Sequence, residues 1–475
     1  MMKTLVRSFW LVSLVCVLLP GSPVPWSEPG AGIPAHAASQ TADVYLETTR
    51  SELQKIPIRI MGLGDGTIRQ CNPTTIEGTP ADVLRADLQR TQLFTVIGQS
   101  AASPELSQSR CLETESIAEA GMDGAMVVTW GSVYEQNDKL IMDVCARDRG
   151  GKTIGKEYRG SPPSRELQRR MTHRWADELV KYYTGETGVA QTEIVYVAGD
   201  RTGGRSLYVM DYDGHGSRPV TETRNLALMP TWLPDRRSVV YTIYRQHDQE
   251  IVQLDLDSGT MDTVVPRKSL NITPAFSPDG QLIAYASATE GNSNIFIVNV
   301  QTKEKRQVTF HRGADLSPTW SPDGRSLAFM SDRRGKPQIY TMRADGSRVR
   351  RLTFVGSYNA APAWSPRGDW IVYVCHVPPA GFRLCRITPD GQRRGQITHG
   401  SRWAMEDSPS WAPDGRHLVF SSKHDGQSHL YRIHVDGTGR ESLTMEGQHY
   451  SSPSWSPFYD RVVPCRPEAV MSSAG

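Results

Sequence analysis

Twelve histidines and seven cysteines are the side chains of this 475-residue chain best suited to hold metal or attack a substrate, and their spacing argues against both roles. A metallopeptidase needs two imidazoles one helical turn apart with a carboxylate between them, and no His-Glu-x-x-His occurs. His173, His311, His376 and His449 stand singly. No Cys-x-x-Cys is present, which removes zinc-knuckle and thioredoxin-like chemistry. No Gly-x-Ser-x-Gly is present either, so the nucleophile elbow of a hydrolase is missing. Gly62-Leu63-Gly64-Asp65-Gly66 follows an apolar run, but its glycines miss the spacing of a dinucleotide loop and Pro73 blocks an immediate helix. Catalysis and nucleotide binding therefore have no motif to rest on.

What the chain has instead is a repeated phrase. It reads Pro230-Thr231-Trp232-Leu233-Pro234-Asp235, Pro274-Ala275-Phe276-Ser277-Pro278-Asp279-Gly280, Pro318-Thr319-Trp320-Ser321-Pro322-Asp323-Gly324, Pro362-Ala363-Trp364-Ser365-Pro366-Arg367-Gly368, Pro409-Ser410-Trp411-Ala412-Pro413-Asp414-Gly415 and Pro453-Ser454-Trp455-Ser456-Pro457. The steps between first prolines are 44, 44, 44, 47 and 44 residues. A period in the low forties is the mark of propeller blades, because a four-stranded sheet buries its faces only when neighbours stack on it. In each phrase the aromatic ring ends an inner strand, and Ser-Pro-Asp-Gly fills a type I turn. Alternating runs such as Leu282-Ile283-Ala284-Tyr285-Ala286 and Asn294-Ile295-Phe296-Ile297-Val298 supply the second and third strands, and Gln307-Val308-Thr309 or Arg351-Leu352-Thr353 ends the outer one.

The strand count predicts how the ring closes. Glu193–Val197, Ser206–Met210 and Ser217–Thr221 precede the first phrase and lack an inner partner, whereas only twenty residues follow Trp455, with room for one more strand near Val462-Val463. The two ends together make one composite blade, giving a six-bladed β-propeller without a free sheet edge.

Residues 38–188 lack the repeat. A strand over Ile56–Met61, a helix over Pro80–Thr91, a strand over Leu93–Ile97, a short helix over Ser116–Ala120, an antiparallel meander through Ala125–Trp130, Lys139–Val144 and Thr153–Lys156, and a helix over Ser164–Tyr183 predict a compact α/β domain. Ahead of it, Lys3 and Arg7 precede an apolar run from Phe9 to Leu19, and Ala35-His36-Ala37 carries small residues where a signal peptidase reads. The expected organisation is a signal peptide over 1–37, an α/β domain over 38–188 and a propeller over 189–475.

Composition narrows the partners. A net charge of +2 and 38% hydrophobic residues describe an ordinary soluble protein without a case for nucleic acid or for membrane insertion of the mature chain. Arg333-Arg334 and Arg348-Val349-Arg350-Arg351 read as solvated surface. Of the cysteines beyond the apolar run (Cys71, Cys111, Cys145, Cys375, Cys385, Cys465), Cys375 and Cys385 flank a hairpin at Pro378-Pro379-Ala380-Gly381, where a cross-strand bridge fits. The sequence asks for no cofactor. Oxygens at Asp315, Glu406 and Asp407 could hold a calcium ion in the channel, although the other blades offer Met229, Thr273 and Ala361 at comparable places.

Together, the exported α/β domain, the six phrases, the junction Thr192–Val197, the strand Leu207–Gly214 and the ending Pro453-Ser454-Trp455-Ser456-Pro457-Phe458 resemble the TolB family of the Tol-Pal system. The resemblance implies a non-enzymatic periplasmic protein, monomeric on its own, that couples the inner and outer membranes at division. It implies a peptidoglycan-associated lipoprotein, Pal, bound in the propeller funnel by the loops entering the inner strands. Those loops contain Leu228, Met229, Leu270, Asn271, Thr273, Asp315, Leu316, Ser317, Asn359, Glu406, Asp407 and Ser408. It further implies TolA held by an N-terminal segment, for which Asp43, Val44, Tyr45 and Leu46 stand in place. Two other readings fit a propeller of this kind: a calcium-dependent lactonase or esterase, and a general envelope-binding propeller that does without TolA.

Overall fold

The computed structural model describes residues 55–66, 78–98, 122–199, 204–221, 226–245, 248–266, 270–288, 291–400, 404–445 and 448–458. The expected signal peptide, residues 43–46, the helix over 116–120, the strand at 462–463, and Cys71, Cys111 and Cys465 lie outside them. The described residues from Ile56 onward form one compact unit.

In its first part, apolar runs with period two become β1 (Ile56–Gly66), β2 (Phe94–Val96), β3 (Val127–Gln136), β4 (Lys139–Asp148) and β5 (Thr153–Gly160). They pair in the order β2-β1-β3-β4-β5, with β1 parallel to both neighbours and β3-β4-β5 the antiparallel meander that the alternation predicts. Two helices cover the sheet. Helix α1 (Pro80–Arg90) starts with a capping box, in which Thr79 accepts from the Asp82 N–H and Asp82 accepts in return from Thr79. Helix α2 (Arg165–Thr184) starts at Ser164, which accepts from the Leu167 N–H, and ends at the left-handed Gly185. Its buried stripe of Leu167, Met171, Trp175, Leu179 and Val180 follows helical spacing onto the sheet.

The repeats become four-stranded antiparallel sheets of one pattern, for instance Asp315–Trp320, Ser326–Ser331, Gln338–Arg343 and Arg350–Arg351. Strand pairing places Ile194 and Val195 opposite Trp455 and Ser454, so the strand His449–Trp455 is the inner neighbour of Glu193–Gly199. The turns are built as the phrase predicts: the Gly280 N–H closes on the Ser277 carbonyl at 2.9 Å, and Gly280 has φ 72°. The Ser277 hydroxyl bonds Asp279 at 2.5 Å, which with a backbone N–H holds that carboxyl below its ordinary range. Three of the aromatic rings also tie their sheet to the previous one. The indole N–H groups of Trp320, Trp411 and Trp232 donate to the carbonyls of Ala275, Ala363 and Ser454 at 3.0, 2.9 and 3.0 Å. The last of these joins the first phrase to the final one.

Cys375 and Cys385 are bridged, with Cα atoms 5.9 Å apart across the expected hairpin. Cys145 is disulfide-bonded as well.

Candidate protein-interaction face

Antiparallel strands alternate in direction, so every sheet offers loops to two faces. The segments entering the inner strands and the hairpins between second and third strands project from one face. The Ser-Pro-Asp-Gly turns and the hairpins between third and outer strands project from the other.

The second face is occupied by the mixed sheet's helices. His173 of α2 lies between two carboxylates, its Nδ1 at 2.6 Å from Asp87 of α1 and its Nε2 at 3.9 Å from Asp213 in a propeller hairpin. Arg169 and Arg90 also bind Asp213, the Tyr212 hydroxyl donates to Asp87, and Arg90 reaches Glu441 at 2.8 Å. Burial works against a charged His173, but the Asp87 carboxylate outweighs it and raises the pKa above 6.5. Burial likewise opposes ionised Asp213, yet His215, His173 and Arg169 pull it far below the carboxylate range. Asp87, His173 and Asp213 are spaced closely enough to hold a metal ion. Two arginines already neutralise the carboxylates, so the arrangement serves as a lock between the two parts.

The connection from α2 is pinned beside this lock. Asp177 accepts from the N–H groups of Ala190 and Gln191 at 2.9 and 3.1 Å, while its burial pushes its carboxyl up to about 6. Glu186 takes Arg367 and Arg416, each at 2.7 Å. A Cβ at Gly188 would lie 2.0 Å from the Asp177 carboxylate, so only glycine fits. A single apolar cluster then runs from Ile58 and Leu84 through Trp175 to Ala412, Val419 and Trp455.

The first face opens on the central channel. Each inner strand carries a register shift just before its proline, and the bulged residue has a left-handed backbone: Met229, Thr273, Ser317, Ala361, Ser408 and Ser452 have φ of 51, 53, 52, 47, 52 and 49°. For an L-residue this conformation costs roughly 1–2 kcal/mol. Backbone strain of this kind clusters at functional sites. These six residues line a channel of about 600 Å³ together with the prolines and aromatic rings that follow them. Neighbouring sheets also meet here, as the Ser317 N–H donates to Thr273 Oγ1 at 3.2 Å.

Of the residues expected to touch a partner, Met229, Thr273, Ser317 and Ser408 line that channel, and Leu228, Leu270 and Asp407 are half-buried beside it. Burial pushes the Asp407 carboxyl up to about 6. The others are corrected. Asp315 is 0% and Glu406 1% exposed, with Asn271, Asn359 and Leu316 also buried. Each polar one of these is held by hydrogen bonds within its own blade or to the blade before it. Asp315 receives the Arg333 guanidinium through both oxygens at 3.0 Å. Glu406 takes Arg440 at 2.9 Å along with Thr398. Asn271 binds Ser287 and the Gln249 carbonyl, and Asn359 binds Gln338. The bulge sets them inside, because it turns the strand so that the residue two before the left-handed one points into the sheet. Asp315 and Glu406 are thereby engaged by arginines instead of standing free as ligands for a channel ion. Asp43, Val44, Tyr45 and Leu46 fall outside the described residues.

Sequence reasoning passed over residues that are fully outside. Phe310, Phe354 and Met445 directly follow the threonine that closes an outer strand, at the first face, and Val355 follows Phe354. The period that revealed the prolines also carries this signal.

With this geometry the chain matches known proteins over part or most of its length. The TolB beta propeller domain family matches residues 180–459. The Tol-Pal system protein TolB of Paramagnetospirillum magneticum is 31% identical over 236 residues, 46% of this chain and 48% of the relative. That of Geobacter sulfurreducens is 34% identical over 212 residues, covering 43% and 46% of the two chains. The chain thus spans about half the length of the curated relatives it matches. The crystal structure of TolB from Acinetobacter baumannii superposes with a TM-score of 0.71 at 25% identity, covering 85% of this chain and 97% of that one. By the family match over more than half its residues, this chain belongs to the TolB family.

Proposed function

We propose that the protein is the periplasmic, non-enzymatic, protein-binding component of a Tol-Pal system. In this reading the blades form a closed six-bladed ring sealed by the composite blade, and the domain limits are 38–188 and 189–475 behind a cleaved leader. A Pal-like lipoprotein enters the funnel at the first face, and the N-terminal segment with Asp43, Val44, Tyr45 and Leu46 takes a TolA-like protein. The two contacts join the envelope layers during constriction. No cofactor takes part.

One observation carries the reading. The channel mouth is lined by six equivalent left-handed residues, one just before each phrase, so a single inserted loop meets all six inner strands at once. Such convergence suits recognition of a protein, whose small loop fills a site larger than any one blade provides. The opposite face, taken up by the ion lock, leaves this one for a partner.

Isothermal titration of the protein lacking residues 1–37 with a purified Pal-like lipoprotein domain tests the reading. A 1:1 complex is expected, weakened at least tenfold by Ser317→Trp with Ser408→Trp, which fill the mouth. Removing residues 38–50 leaves that complex intact and abolishes binding of a TolA-like C-terminal domain. Undiminished Pal affinity in the doubly filled variant, with its melting unchanged, would reject the funnel as the site.

A further inference from the structure

Thr309, Thr353 and Thr444, which close outer strands, are held firmly. The hydroxyls of Thr309, Thr353 and Thr444 accept from the N–H groups of Ile295, Ile339 and Leu430 at 2.9, 2.9 and 3.0 Å. With the threonine turned inward, the residue after it is thrown outward. Phe310, Phe354 and Met445 are accordingly 80, 69 and 86% exposed, and Val355 beside Phe354 is 59% exposed.

Phe310 and Phe354 belong to one continuous sector. The hairpin 332–337 lies between their loops and is bonded to both. On one side the Ala314 N–H donates to the Asp332 carboxylate at 2.7 Å. On the other, Gln338 Nε2 donates to the Gly356 carbonyl at 3.2 Å, and the Asn359 N–H donates to the Pro337 carbonyl at 2.9 Å. Exposed Arg312, Arg334 and Lys336 stand in this sector, and among the described residues none has an ion-pair partner. Asp332 is half-buried and spent on the loop, and Arg333 is turned inward to Asp315. The Arg351 guanidinium lies 5.0 Å over the Phe354 ring and holds it in place. A chain with a net charge of only +2 thus gathers three unpaired cations around three exposed apolar side chains.

We propose that this outer sector of the rim is a second docking surface, distinct from the channel mouth, for an acidic protein segment that carries apolar side chains. The apolar groups gain about 25 cal/mol per Å² when covered, and a partner covering them must also face Arg312, Arg334 and Lys336, which selects carboxylates. Aromatic and arginine side chains grouped on an otherwise polar surface are the usual make-up of a protein interface. The surface does not depend on the funnel and is tested separately from it.

The test is fluorescence anisotropy of the protein lacking residues 1–37, with a fluorescein-labelled synthetic peptide that alternates glutamate with leucine and phenylalanine. Saturable binding is expected, weakened at least tenfold by Arg312→Glu with Arg334→Glu and Lys336→Glu, and equally by Phe310→Ser with Phe354→Ser. The same peptide with lysine for glutamate, or serine for its apolar residues, binds at least tenfold more weakly. All substituted side chains are exposed, and unchanged melting of the variants verifies their fold. Absence of saturable binding, or binding indifferent to either set of substitutions, overturns the proposal. So does patch-dependent binding to phosphatidylglycerol vesicles in place of the peptide, or self-association of the chain that the same substitutions abolish.

Discussion

Within the blades, a buried charge finds its partner close by in sequence: Asp315 meets Arg333 18 residues on, and Glu406 meets Arg440 34 residues on. Between the propeller and the mixed sheet the partners come from afar. Asp87 meets Tyr212 over 125 residues, and Arg90 meets Glu441 over 351. The short-range pairs each tie an inner strand to a later segment of the same blade. The long-range network has one copy and fixes how the two parts face each other. A molecule built this way has one face committed to its own interior and one left open, with the strained bulges and exposed rings on the open side.

The largest effect should come from breaking the seam that both systems rely on. Deleting residues 453–475 removes the residues pairing with Ile194 and Val195, and it takes the Ser454 carbonyl from Trp232. Loss of a cooperative thermal transition and aggregation are expected, because exposed strand edges pair with other chains. A monomer in gel filtration that melts at the original temperature would refute closure through this strand.

Next is the lock itself. Asp213→Ala leaves Arg90 and Arg169 facing Asp87 and His173 without their shared carboxylate, a loss of about 3 kcal/mol in urea unfolding. The lock also has a pH window. The Asp213 contribution is present above the ordinary carboxylate value of 3.8 and fades as pH falls toward its depressed folded value. The His173 contribution is full below the ordinary 6.5 and is lost as pH rises through its elevated folded value. The protection factors of α1 and α2 against hydrogen exchange should therefore be highest between pH 3.8 and 6.5, and His173→Gln should flatten the alkaline side of that profile. A profile that His173→Gln leaves unaltered would remove the imidazole from the lock.

The smallest effect concerns strain on the open face. Ala361 has φ 47°, which glycine adopts freely. Ala361→Gly is expected to stabilise the protein by about 0.5 kcal/mol, the relief of strain being partly offset by the added freedom of the unfolded chain. A loss exceeding 1 kcal/mol would mean that the bulge is not strained there.

This comparison also explains what could be read in the sequence. Blades, turns, the Cys375–Cys385 bridge, both helices and the meander were legible because each depends on neighbours within one period or one periodic run. The order β2-β1-β3 was not, since parallel pairing leaves no local signal. Asp315 and Glu406 looked like rim charges because they sit beside a loop, and only the bulge, a backbone event, turns them inward. His173 looked solitary because its partners are 86 and 40 residues away in other elements. Phe310, Phe354 and Met445 each follow the threonine of an outer strand, so the same period marks them.

Hydrogen exchange of the protein with and without a bound Pal-like lipoprotein domain tests the central claim most directly, because it reports both faces in one experiment. The account predicts slowed exchange at the inner-strand entries, residues 226–230, 270–274, 315–318, 359–362, 404–409 and 449–453, with the Ser-Pro-Asp-Gly turns and helices α1 and α2 unchanged. Protection confined to those turns and helices, with the inner-strand entries unaffected, would contradict it.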